Sequence, residues 1–157
     1  MGNLAIEQVR EYFKERQMEE RILLFEGSSA TVDLAPKALL VIPARIAKTL
    51  SFKKDNGCIL VVTAGDMKID NIKFKAAFSM KAKMLSPEEV LNKVGHPVGG
   101  VCPFALPRDV EVYLDVSLKR FQTVFPACGS QNSAIEMTCE ELQRYAHAMD
   151  WVDVCKG

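Results

Sequence analysis

Asp55-Asn56-Gly57 is the feature that most limits how this chain can fold. It is a tight-turn sequence set between two strand-like runs, residues 49–53 and 58–63. Asparagine and glycine tolerate the positive φ angles of a short hairpin loop, so the two runs read as an antiparallel hairpin. Gly65-Asp66 closes it. A lone hairpin is marginal in water, so other elements must cover it.

The first arm of the hairpin carries an anomaly. Side chains along a strand alternate between its faces. In Ile46-Ala47-Lys48-Thr49-Leu50-Ser51-Phe52, the residues Ile46, Leu50 and Phe52 make one apolar face, and Lys48 is in phase with them. An unpaired buried ammonium is costly. Lys48 therefore snorkels out, finds a partner, or lines a cavity that needs a cation.

Around the hairpin, helix and strand signals interleave. Ile6, Val9, Arg10, Tyr12 and Phe13 fit an amphipathic helix over about residues 4–16. Ile22-Leu23-Leu24-Phe25 reads as a short strand. Thr31 can cap a second helix to about residue 40, shortened or kinked by Pro36. Pro43 suits the first turn of a brief helix leading into the Lys48 strand, and Asp70 caps a helix to about Phe78. Residues 81–85 read as a short strand. Ser86-Pro87-Glu88-Glu89 and Thr138-Cys139-Glu140-Glu141 are capping boxes, starting helices to about Val94 and Ala148. Residues 110–114, 122–126, 134–137 and 151–154 are strand-like. The expected fold class is α/β with a mixed sheet, because hairpins occur beside crossovers.

The 157 residues suffice for one core, so a single domain over 1–157 is expected. With 48% hydrophobic and 25% charged residues, the composition is that of a soluble globular protein. No apolar run approaches the length of a membrane span, and residues 3–16 carry acidic side chains that a signal peptide lacks. A cytoplasmic location and no membrane partner follow as expectations. Five cysteines without a close pair read as free thiols, and two histidines, His96 and His147, give a zinc site no support. Net charge is zero, yet residues 45–83 hold nine basic and three acidic residues. That excess suits a polyanion or simply keeps exposed faces soluble.

Three places can carry chemistry. Gly95-His96-Pro97-Val98-Gly99-Gly100-Val101-Cys102-Pro103-Phe104 is neither helix nor ordinary strand. Such a loop is a structural turn, or it aims consecutive backbone N–H groups at one oxygen. Cys102 beside His96 invites a nucleophile reading, against which stands His96 as a loop residue packed on Pro97. Asp115 balances a buried lysine or caps the turn before Ser117. Gly129-Ser130 is a plain turn or presents a hydroxyl to a cavity. No Ser/His/Asp arrangement is evident.

The order of these pieces is distinctive. Ser29-Ala30-Thr31 is followed by the Lys48 strand, the Asn-Gly hairpin, Gly65-Asp66 and Leu85-Ser86-Pro87-Glu88-Glu89-Val90. Then come Gly99-Gly100-Val101-Cys102-Pro103-Phe104, Val112-Tyr113-Leu114-Asp115, Gly129-Ser130 and Trp151-Val152-Asp153. From about Arg21 to Asp153 the chain resembles the YbaK family of aminoacyl-tRNA deacylases, related to the editing insertion domain of prolyl-tRNA synthetases. The resemblance implies a twisted, partly barrel-like mixed sheet with surrounding helices. It also implies a free-standing trans-editing enzyme, an aminoacyl-tRNA hydrolase. The expected substrate is Cys-tRNA(Pro), or another small amino acid on tRNA(Pro).

The partners implied are the 3′ aminoacyl-adenosine end of a mischarged tRNA and, further, prolyl-tRNA synthetase. No metal or organic cofactor is implied. Lys48 matches the family's functional lysine, with Gly100 and Val101 as backbone donors to the carbonyl oxygen. Thr31, Thr49, Gly99, Cys102, Pro103, Phe104, Asp115, Gly129 and Ser130 complete the expected substrate site. Thr49 stands where alanine-specific relatives tend to have asparagine, which leans the reading towards cysteine. Two rival readings stay open: a non-catalytic tRNA- or synthetase-binding module on the same fold, and a hydrolase of small aminoacyl esters.

Overall fold

The computed structural model describes residues 4–24, 42–55, 57–96, 101–130 and 133–157. The Asn-Gly hairpin is its centre. Strands β2 (Ile46–Lys54) and β3 (Gly57–Ala64) pair antiparallel from Ala47↔Ala64 to Lys54↔Gly57. Asp55 enters the turn at φ 52°. Every residue from Cys58 to Ala64 is buried, as expected of a strand covered on both faces.

The sheet grows outward from this pair. On one side β3 pairs parallel with β5 (Glu111–Asp115), and β5 with β9 (Asp150–Val152). On the other, β2 pairs parallel with β6 (Thr123–Pro126), and β6 antiparallel with β8 (Met137–Thr138). The six-stranded order is β8-β6-β2-β3-β5-β9, a mixed sheet as expected. Two short antiparallel pairs stand beside it. One joins β1 (Ile22–Leu24) to β7 (Ser133–Ile135), and the other joins β4 (Lys68–Ile69) to β10 (Cys155–Lys156).

Each face of the sheet has its own apolar cluster. The larger takes Leu60 and Val62 of β3 and Val112 and Leu114 of β5. Against them pack Val9 and Phe13 of α1 (Leu4–Lys14), Val90 and Val94 of α3 (Pro87–Val94), and Leu142 of α4 (Cys139–Tyr145). The smaller cluster takes Phe52, Ile59 and Val61, with Phe74 of α2 (Asn71–Phe78), Val154 and Cys155. Its rings run Phe52–Phe74–Phe78–Tyr113, with centroids 4.7, 4.7 and 4.9 Å apart.

Local signals set these helices as expected. Asp70 accepts the Ile72 and Lys73 N–H groups, and both capping boxes are closed. Pro43 opens a 3-10 turn, Pro43–Arg45.

Elsewhere the elements are shorter than expected. Residues 81–85 form no strand; only a single bridge ties Met84 to Phe52. The run 134–137 is divided between β7 and β8, and 151–154 between β9 and a stretch leading to β10. Helix α4 stops at Tyr145, because His147 takes a left-handed φ of 52°. The helix expected after Thr31 lies outside the described residues.

Candidate functional site

Lys48 sits opposite Thr63 in the β2–β3 ladder, on the face of the smaller cluster. The sheet is apolar on both faces, so Ile46, Leu50 and Phe52 do not face the principal core; Ala47 on the other side does. The Lys48 side chain is half-buried, and its Nζ donates to the Met67 main-chain carbonyl. It has found a partner at the end of the sheet. Burial lowers the Lys48 pKa from its ordinary 10.5; Cys155 and Asp66 act against this shift, and Lys68 acts with it. An ammonium carries three donors, and Met67 uses one of them.

The surroundings of Lys48 are built by the ends of β3 and β5. The Ser117 Oγ accepts the Ala64 N–H at 3.2 Å. Asp115 is buried, and its carboxylate accepts two backbone donors, Ser117 N–H and Val154 N–H, each at 2.9 Å. Of the two readings of Asp115, the cap is the one observed. The same aspartate adjoins Cys155, whose thiol is pushed up to about 12 by burial first and then by Asp115. Asp66 makes a forked pair with Arg120 at 2.6 and 3.1 Å, and this pair holds its carboxyl below the ordinary range.

The other expected site residues lie differently. Thr49 follows Lys48 and so projects to the opposite face; its Oγ1 is buried with no hydrogen-bond partner. Cys102, Pro103 and Phe104 are buried, and Cys102 and Phe104 belong to the larger cluster, where Phe104 meets Phe13 edge-on at 4.8 Å. Val101 is partly exposed at the cluster's rim. His96 is buried as well, rather than a surface loop residue: its Nε2 donates to the Phe104 carbonyl at 2.9 Å and lies 3.6 Å from Cys102 Sγ. With that nitrogen carrying the proton, His96 is no base for the thiol, and burial pushes Cys102 up to about 12. A cysteine nucleophile has no support in this geometry.

Gly129 takes φ 94° and packs on the first turn of α1. Ser130 Oγ donates to Ser133 Oγ at 2.8 Å, so its hydroxyl serves the turn. Thr31, Gly99 and Gly100 lie outside the described residues. Sequence reading missed Met67, Cys155 and the Asp66–Arg120 pair, and named Ser117 only as the residue after the Asp115 turn. Only the short spacing of Asp115 and Ser117 offered a signal, that of an aspartate turn. Among the described residues, no three His, Cys, Asp or Glu side chains gather as a metal site.

A profile of the aminoacyl-tRNA editing domain matches residues 26–145. The chain belongs to the aminoacyl-tRNA editing domain family. Within reach of this family, the chain is 54% identical over 154 residues to the uncharacterised protein YwhH of Bacillus subtilis (strain 168), covering 98% of each. It is 25% identical to the proline–tRNA ligase of Bacillus licheniformis, covering 98% of this chain but 27% of the ligase. The chain thus spans about a quarter of that ligase. A solved structure described as a candidate trans-editing enzyme for prolyl-tRNA synthetase superposes with a TM-score of 0.87 at 24% identity, covering 98% of each chain. That likeness shows a shared editing-domain fold. Among the described residues, no helix is long and apolar enough to cross a membrane.

Proposed function

We propose that this editing-domain protein is a trans-acting deacylase. It hydrolyses the ester between a wrongly attached amino acid and the 3′-terminal adenosine of a tRNA. The substrate we favour is cysteine, or another small amino acid, on tRNA(Pro). Similarity to proline–tRNA ligases supports the choice of tRNA, and prolyl-tRNA synthetase is the enzyme whose errors it would clear. The observation that carries the reading is Lys48, a half-buried ammonium held at the sheet end by the Met67 carbonyl, its one hydrogen-bond partner among the described residues.

In this reading, water or the thiol of a cysteinyl substrate adds to the ester carbonyl, and negative charge develops on its oxygen. The N–H groups of Gly100 and Val101 receive that charge. Collapse breaks the bond to the ribose oxygen, which takes up a proton. Lys48 holds the ribose or phosphate so that the ester is presented to the attacking atom, with no need to act as a nucleophile. Cys102 and Phe104 anchor the loop in the larger apolar cluster, and Asp115 braces the sheet end beside Cys155.

The test is a panel of mischarged tRNAs with Lys48→Ala. The variant should lose roughly 100-fold or more in turnover, the scale of one lost electrostatic contact in a reacting site. Circular dichroism should be unchanged. Full activity in the variant sinks the role of Lys48. Binding of charged tRNA without release of any amino acid by the wild type would make the protein a binding module instead.

A further inference from the structure

Helix α2 and the segment after it leave a groove of about 610 Å³, lined by Asn71, Ile72, Lys75, Ala76, Lys81 and Ala82. It forms because Ser79 turns the chain at φ 58° and sends it back to β2, where Lys83 and Met84 dock on Lys53 and Phe52. Its lining includes the apolar side chains of Ile72, Ala76 and Ala82, and Ile72 is 83% exposed. Its rim is cationic: Lys75 and Lys81 are both exposed, and no salt bridge among the described residues reaches either. An apolar lining beside two uncompensated ammonium groups suits a ligand with a flat ring and flanking phosphates, as a single-stranded nucleic acid presents.

The groove is joined to the Lys48 site through a short stretch of chain. Asn71, at its mouth, is four residues beyond Met67, whose carbonyl holds the Lys48 ammonium. Four trans peptides set the two Cα atoms no more than about 15 Å apart. Resting on the deacylase reading, we infer that this groove takes the unpaired nucleotides just upstream of the aminoacylated adenosine. Lys75 and Lys81 meet phosphates, and Ile72 meets a base or ribose.

The experiment compares wild type with Lys75→Gln/Lys81→Gln, both surface changes, on tRNA(Pro) mischarged with cysteine across a range of salt. The double variant should raise KM, leave kcat unchanged, and make the log–log salt dependence of KM shallower by about 1.4, at about 0.7 per lost phosphate contact to a single strand. Ile72→Ser should raise KM without changing that slope. Turnover of cysteinyl-adenosine, which lacks the upstream phosphates, should be the same in all three proteins.

An active wild type with an unchanged slope in the double variant overturns the groove while leaving the deacylase reading intact. A wild type inactive on every charged tRNA removes that reading, and this inference with it. If the slope is unchanged but the double variant loses co-sedimentation with prolyl-tRNA synthetase, the groove is a protein-docking face and the nucleic-acid assignment is overturned.

Discussion

At Gly129 a Cβ would stand 2.8 Å from the Ala5 carbonyl carbon and 2.9 Å from the Ile6 nitrogen. Neither is a flexible side-chain tip, and the backbone there is already left-handed. Gly129→Ala should therefore destabilise the protein by more than about 1 kcal/mol, through strained φ and displacement of α1 together. A lower urea midpoint at unchanged slope would show it; an unshifted midpoint would mean that α1 moves freely on this turn. Sequence reading marked Gly129-Ser130 as a break but gave no hint of what it touches, because Ala5 is far away in the chain. Lys48 shows the same limit. Its phase in the strand was legible, yet the Met67 carbonyl that receives it belongs to a turn outside the hairpin. His96 was read as a loop residue because nothing in its neighbours announces burial, and its partner carbonyl at Phe104 is known only once the loop has closed.

Helices α3 and α4 start where they do because each first turn satisfies its own donors. In α4, Thr138 Oγ1 accepts the Glu141 N–H at 3.1 Å, and Glu141 returns the contact to the Thr138 N–H at 3.0 Å. Thr138→Ala should cost about 1 kcal/mol, and Thr138→Ser should recover most of it. Equal stability of the alanine and serine variants in chemical denaturation would rule the cap out as a source of stability. Features of this kind were readable because they lie within three or four residues. The same holds for the Asp70 cap, the Pro43 turn and the Asn-Gly hairpin. What failed at this scale depended on distant partners. Residues 81–85 have strand-like composition but meet β2 at one bridge only, and β10 exists because β4 lies beside it.

Over the described residues, His96 and several carboxylates, Glu141 and Asp66 among them, link stability to acid. Burial holds the His96 pKa below its ordinary 6.5, with the Phe104 carbonyl acting against the shift. The unfolded chain therefore takes up a proton that the fold resists, and stability present above about pH 6.5 falls as pH drops through that range. Glu141 is held down to about 2 from 4.5, chiefly by Arg21, so its contribution is present above pH 4.5 and lost between there and about pH 2. A third of that side chain is exposed, so the pair contributes about 1 kcal/mol or less. Urea midpoints measured against pH should show two declines. His96→Gln should remove the upper one and Arg21→Ala should lessen the lower, to which Asp66 also contributes, and a midpoint flat from pH 7 to pH 5 in the wild type would contradict the first.

The parallel pairing of β5 with β9, and the Val154 N–H on Asp115, have a consequence for biosynthesis. The central hairpin consists of neighbours in sequence and can form as soon as it leaves the ribosome. The surroundings of Lys48 cannot, because Cys155 and the strand that precedes it arrive about a hundred residues later in translation. Until then β5 is an open edge, ready to pair with any other nascent strand. The surroundings of Lys48 are thus completed only after β9 and β10 have been translated.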